Sequence, residues 1–93
     1  MKILEYWISK KDAAKLCESE GVSPKSIYYH LRTGGICAYK INLLSRVFWL
    51  IYKPSLLIYI SAVIKGTISD PDTWRWDRLL EKGVVKNPRK PRL

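Results

Sequence analysis

The residues best suited to chemistry fall in one short stretch, GVSPKSIYYHLRTGG, residues 21–35. Lys25, Ser26, Tyr28, Tyr29, His30 and Arg32 sit there between a Ser-Pro start and a Gly-Gly stop. A tyrosine hydroxyl can donate to or accept from a polar edge while its ring packs on an apolar surface. A guanidinium can clamp a phosphate or a planar pair of acceptors. These are recognition chemistries. Acid–base catalysis would need a carboxylate to support His30, the only histidine, and no Asp or Glu occurs between residues 21 and 69. The sequence contains no Gly-rich phosphate loop, nucleophile elbow or plausible carboxylate pair. No enzyme and no catalytic residue are therefore expected, and His30 is assigned to a packed, hydrogen-bonded position. Cys17 and Cys37 form no CxxC pair and, with one histidine, fall short of the four ligands a structural zinc needs. Neither a metal nor a cofactor is expected, and both cysteines read as small apolar residues of a reduced, intracellular protein.

Charge says what such donors could meet. Seventeen Lys and Arg against eight Asp and Glu give a formal charge of +9. The acids are confined to Glu5, Asp12, Glu18 and Glu20 at one end and Asp70, Asp72, Asp77 and Glu81 at the other. Between them lie Lys25, Arg32, Lys40, Arg46, Lys53 and Lys65 without a counter-charge. Surfaces normally mix both signs, so a one-signed middle points to a polyanion, either nucleic acid or an anionic membrane surface. The start MKILEYWISKKD lacks a signal-peptide layout. Residues 41–64 are apolar enough to consider as a membrane span, but Arg46, Lys53 and Pro54 interrupt them and no span is expected.

The elements that must position these residues can be read in order. Residues 3–8 form a short extended lead-in. Ser9 and Asp12 have capping-box spacing ahead of Ala13, Leu16 and Cys17, and Gly21 ends that helix. Ser23 and Pro24 start a second helix whose Ile27 and Leu31 share the buried stripe, until Gly34 and Gly35 stop it. Two short helices about a tight turn make a helix-turn-helix. ICAYKI (36–41) and RVFWLIY (46–52) read as a β-hairpin, a wing after the second helix. Pro54 opens a helix to Gly66 that is apolar all round, so a second copy is expected to cover part of it through Leu56, Leu57, Tyr59, Ile60, Val63 and Ile64. Asp70 to Gly83 reads as a further capped helix carrying Trp74 and Trp76, and KNPRKPRL as a basic disordered tail. The expected fold class is mainly α with a small β-hairpin, a winged helix-turn-helix with additional C-terminal helices. It divides into residues 1–66 with the dimerisation helix at 54–65, a C-terminal helix over 67–85 and the tail over 86–93.

ISKKDAAKLC, GVSPKSIYYHLRTGG and RVFWLIYKPSLL together resemble the winged helix-turn-helix of the MerR and excisionase group over roughly residues 8–60. SIYYHL is similar to the Thr-Ile-Arg-Tyr-Tyr pattern of MerR proteins, and His30 stands at that pattern's large buried aromatic. ESE (18–20) adds about three residues to the first helix or its turn, and Tyr28 stands where the pattern prefers Arg. The resemblance implies a recognition helix in the major groove, with Lys25, Ser26, Tyr28, Tyr29 and Arg32 on its outer arc, and a wing contacting DNA through Lys40 and Arg46. The expected protein binds double-stranded DNA sequence-specifically as a homodimer on an inverted repeat. It would serve transcription regulation, excision or plasmid partition in a virus, plasmid or other mobile element. The competing expectation is a protein-interaction or anionic membrane-surface module using the same basic, aromatic face.

Overall fold

The computed structural model describes residues 6–91. Residues 3–5 of the expected lead-in and residues 92–93 of the tail lie outside the described residues. Helix α1 (Lys10–Ser19) starts where Ser9 accepts the Asp12 N–H on its Oγ at 3.0 Å. The ESE segment is absorbed into this helix and its cap, and Gly21 makes the exit with φ 74°. Ser23 caps a 3-10 turn, Pro24–Ser26, which feeds α2 (Ile27–Thr33), and Gly34 ends α2 in the left-handed region at φ 85°.

Three strands form one antiparallel sheet: β1 (Trp7–Ser9), β2 (Ala38–Leu43) and β3 (Arg46–Tyr52), in the order β1-β3-β2. The domain is therefore α+β rather than mainly α with a lone hairpin. Part of the extended lead-in is a strand because β3 has a second edge whose backbone groups need partners. β2 begins two residues later than expected. Ile36 is buried in the core, and the Cys37 N–H is diverted to Ser55 so that only its carbonyl reaches β3. Leu44 and Ser45 make the hairpin turn, with Leu44 at φ 56°, a conformation that costs a side-chain-bearing residue about 1–2 kcal/mol.

Register divides the sheet into two faces. Ile51 pairs with both Ile8 and Ala38, and Trp49 pairs with Lys40. Strand alternation puts Ile8, Ala38, Lys40, Val47, Trp49 and Ile51 on one face, and the core is built against its base. That core joins Ala13 and Cys17 of α1, Val22, Ile27, Leu31, Ile36, Ile51, and Leu56, Tyr59, Ile60 and Ala62 of α3 (Lys53–Lys65). On the other face Tyr52 packs between Trp7 and Trp76, at 5.4 and 5.7 Å between ring centroids.

Ser55 joins hairpin to helix. It is the buried polar residue of the core region, and its hydroxyl donates to the Tyr52 carbonyl at 2.7 Å while accepting the Cys37 N–H at 2.9 Å. The Tyr52 N–H donates to the Cys37 carbonyl at 2.8 Å, so the start of the hairpin, its end and the first turn of α3 are tied at one place.

α3 is covered within its own chain. The single helix expected from Asp70 to Gly83 is instead a 3-10 turn, Pro71–Thr73, an extended break at Trp74–Arg75, and a short α4 (Trp76–Glu81). On one continuous helix residues two apart diverge by about 200°, so Trp74 and Trp76 could not both turn inward. The break lets both do so, at 3% and 5% exposure. Trp74 lies between His30 and Tyr59, at 4.9 and 5.3 Å, and its indole N–H donates to the Ile68 carbonyl at 3.0 Å. Three of the six residues expected at a dimer interface, Leu56, Tyr59 and Ile60, are core residues instead; Leu57 and Ile64 are exposed and Val63 is half-buried. The expected disordered tail has no helix or strand over 86–91, yet Asn87 accepts the Trp76 indole N–H at 3.0 Å, Lys90 lies over the Tyr39 ring at 5.6 Å, and Pro91 is buried.

Removing the Ser55 hydroxyl leaves a partly buried N–H without its partner. Ser55→Ala should therefore cost about 1–3 kcal/mol, read as a lower urea midpoint at unchanged slope. A midpoint equal to that of the wild type would show that the bridge contributes nothing net.

Candidate nucleic-acid interface

α2 is oriented by the two residues it buries, Ile27 and Leu31, which leaves Lys25, Ser26, Tyr28, Tyr29 and Arg32 exposed around the remaining arc. The two adjacent tyrosines diverge. Tyr28 faces the sheet and meets Trp49 edge-on at 6.4 Å, whereas Tyr29 lies edge-on to His30 at 5.4 Å. The end of α2 is clamped by the C-terminal segment. Arg75 Nη2 donates to the Thr33 carbonyl at 2.8 Å, and the amides of Trp76 and Asp77 donate to the carbonyls of Gly35 and Gly34 at 2.9 and 3.2 Å. Gly35 is required by closeness: a Cβ there would stand 3.1 Å from an Arg75 guanidinium nitrogen and 3.4 Å from the Trp74 ring. Asp77 grips Arg75 with both carboxylate oxygens, at 3.1 and 3.2 Å. Desolvation pushes its carboxyl pKa up, but the hydrogen bond and charge of Arg75 and the amide and charge of Arg78 outweigh this and hold it below the usual range.

Between α1, α2 and β3 runs a groove of about 460 Å³, lined by Ser9, Lys10, Lys11, Tyr28, Val47, Phe48 and Trp49. Tyr28 forms part of its wall under two cations, the Lys10 ammonium at 4.6 Å and the Arg32 guanidinium at 5.0 Å from the ring centroid. Lys40 is directly across from Trp49 on the same sheet face, so the structure brings it to this side of the domain. Arg46 does not join it. It pairs with Leu43, three register steps away, on the opposite face near the hairpin tip. Among the described residues the ion pairs are Arg75–Asp77, Arg78–Asp72 and Lys82–Asp72, all within the C-terminal segment. Lys10, Lys11, Lys25, Arg32, Lys40 and Arg46 enter none of them. The groove thus combines an apolar, aromatic floor with cations that have no counter-charge among the described residues, which suits a ligand with flat apolar parts and anionic groups.

Lys10, Lys11 and Trp49 belong to this site and were not among the expected site residues. A signal for the lysines was present. Two cations in the first turn of α1 oppose the helix dipole, which favours acids such as Asp12 there, so an external anion beside them would be stabilising. Trp49 offered no such signal, because an aromatic in a strand reads equally as core.

His30 is packed as expected, among Tyr29, Tyr59 and Trp74, but its Nδ1 is buried without a hydrogen-bond partner among the described residues. Burial, then the charge of Arg75, push its pKa down, so the neutral ring is the native form. Burial likewise pushes the Cys37 thiol up to about 11, which leaves no poised thiolate there. Among the described residues no helix is long and apolar enough to cross a membrane, and no three His, Cys, Asp or Glu side chains cluster.

Comparison of the chain with protein-family models, with curated proteins and with solved structures found no match.

The depressed pKa of His30 has a definite sign for stability. The unfolded chain takes up the proton near pH 6.5 while the folded chain resists it, so the contribution is present above that value and lost as pH falls through the folded pKa. The melting temperature, followed between about pH 5 and 8, should decline on acidification, and His30→Phe should flatten that decline while keeping the aromatic packing. Parallel pH profiles for the two proteins would remove His30 as the titrating group.

Proposed function

We propose that this protein is a double-stranded DNA-binding module of winged helix-turn-helix type. In this reading α2 enters the major groove and the β2–β3 hairpin lies against the neighbouring minor groove or backbone. One observation carries it: Lys10, Lys11, Lys25, Arg32 and Lys40, which enter no ion pair among the described residues, flank the exposed arc of α2 and the aromatic-floored groove beside it, while the ion pairs lie in the C-terminal segment. Lys10 and Lys11, at the start of α1, and Lys40 supply phosphate contacts. Tyr29 and Arg32 read base edges, and Tyr28, held between Lys10 and Arg32, packs its ring on sugar or a thymine methyl. The biological role would be transcriptional control or accessory site binding, such as excision or plasmid partition.

A homodimer is no longer needed to bury α3. The exposed apolar residues left on it, Leu57 and Ile64, are an amount that monomeric proteins carry routinely. An inverted-repeat site therefore does not follow from the fold, and a single half-site suffices for one chain.

Selection of bound duplexes from a random pool, followed by titration against salt, tests the reading. Tyr29→Ala and Arg32→Ala should relax sequence preference and each cost about 1–3 kcal/mol, whereas Lys10→Ala should weaken all duplexes alike and lower the salt slope by about one. Salt-insensitive adsorption to anionic vesicles, with no duplex retained, would replace this reading with a membrane-surface one.

A further inference from the structure

The tip of the β2–β3 hairpin is explained neither by the core nor by the groove. Leu44 is 99% exposed and sits at φ 56°, where Asn, Asp or Gly would be unstrained and soluble. Leu43 beside it is exposed as well, and Val47 and Phe48, which line the end of the groove, continue the apolar surface from it. A solitary surface leucine is ordinary. A strained one at the apex of a two-residue turn, continued by further exposed apolar side chains, is unfavourable on two counts, and its exposure is relieved only when something covers it. The surroundings limit what that can be. Arg46 pairs with Leu43 immediately behind the tip, and no acid lies anywhere between residues 21 and 69. Sinking the tip into hydrocarbon would draw Arg46 toward the apolar phase, which is costly. Sinking it between the strands of a duplex would instead bring Arg46 to the phosphates and the negative potential of the minor groove.

We propose that Leu44 is an apolar wedge which enters the minor groove of bound DNA, partly unstacks one base step and bends the duplex. This rests on the DNA-binding reading above. The two-residue turn holds the wedge rigidly, so little order has to be imposed on binding, and the left-handed backbone at Leu44 places the side chain at the extreme end of the hairpin. Flexible pyrimidine–purine steps, TA above all, open at least cost and should be preferred at the inserted position.

The test uses the full chain and duplexes of about 25 base pairs with a central TA step, carrying fluorophores at both ends and 2-aminopurine at that step. Wild-type protein should bend the duplex by an angle on the order of 20–90° and brighten the 2-aminopurine as it unstacks. Leu44→Asn should melt at the same or a higher temperature, because Asn tolerates the left-handed backbone, yet bind about tenfold more weakly and leave the duplex straight. Leu44→Met should keep the bend, and Leu44→Gly should behave as Leu44→Asn. Wild-type binding to a straight duplex, with Leu44→Asn equal to it, would overturn the wedge and leave DNA binding standing. Absence of wild-type binding to any duplex would overturn both. Loss of phosphatidylserine-vesicle binding in Leu44→Asn, with duplex bending unchanged, would assign the tip to lipid and overturn the wedge.

Discussion

The fold depends on covering α3, a helix with apolar residues at nearly every angle in a chain too short to build a large core around it. The sheet and α1 cover one side. Trp74 closes another by entering between Tyr59 and His30, and the energies show why this arrangement holds. Each aromatic contact contributes about 0.5–1.5 kcal/mol beyond the area it buries. The two contacts that Trp74 makes add to the burial of its indole, and both stabilise the closed arrangement. A second copy is not needed for this.

The same closure sets the position of α2. Once Trp74 is seated, Arg75 and the amides of Trp76 and Asp77 reach the carbonyls of Thr33, Gly35 and Gly34, which the end of the helix would otherwise leave to water. The Ser55 bridge positions the hairpin in a comparable way, by tying Cys37 and Tyr52 to the first turn of α3. The groove between α2 and β3 is thus held from both sides by interactions outside it. Within it Ser9 caps α1 and Trp49 packs against the core, whereas Lys10 and Lys11 enter no ion pair among the described residues and Tyr28 is half in solvent.

Charge is segregated along the chain and then again in space. Asp72 and Asp77 pair with Arg75, Arg78 and Lys82 within the C-terminal segment, while six Lys and Arg and no acid lie between residues 21 and 69. At the hairpin tip that excess meets exposed Leu43, Leu44, Val47 and Phe48, a pairing of cation and apolar surface that neither folding nor solubility calls for.

Much of this was legible from local sequence, because local rules govern it. Ser9 with Asp12, Ser23 with Pro24, and the glycines at 21, 34 and 66 act within a few residues, so the helix starts and stops follow from backbone chemistry alone. The exposed arc of α2 followed from the four-residue spacing of Ile27 and Leu31. The long-range pairings were not legible. That residues 7–9 join β3, that Trp74 breaks its helix to reach Tyr59, and that Arg46 turns away from Lys40 all depend on contacts between residues far apart in sequence or on which face a register exposes. An all-apolar helix states that it must be covered. Whether a second chain or its own C-terminal segment covers it is decided by geometry, because Trp74 can reach Tyr59 only once α2, α3 and the sheet have assembled.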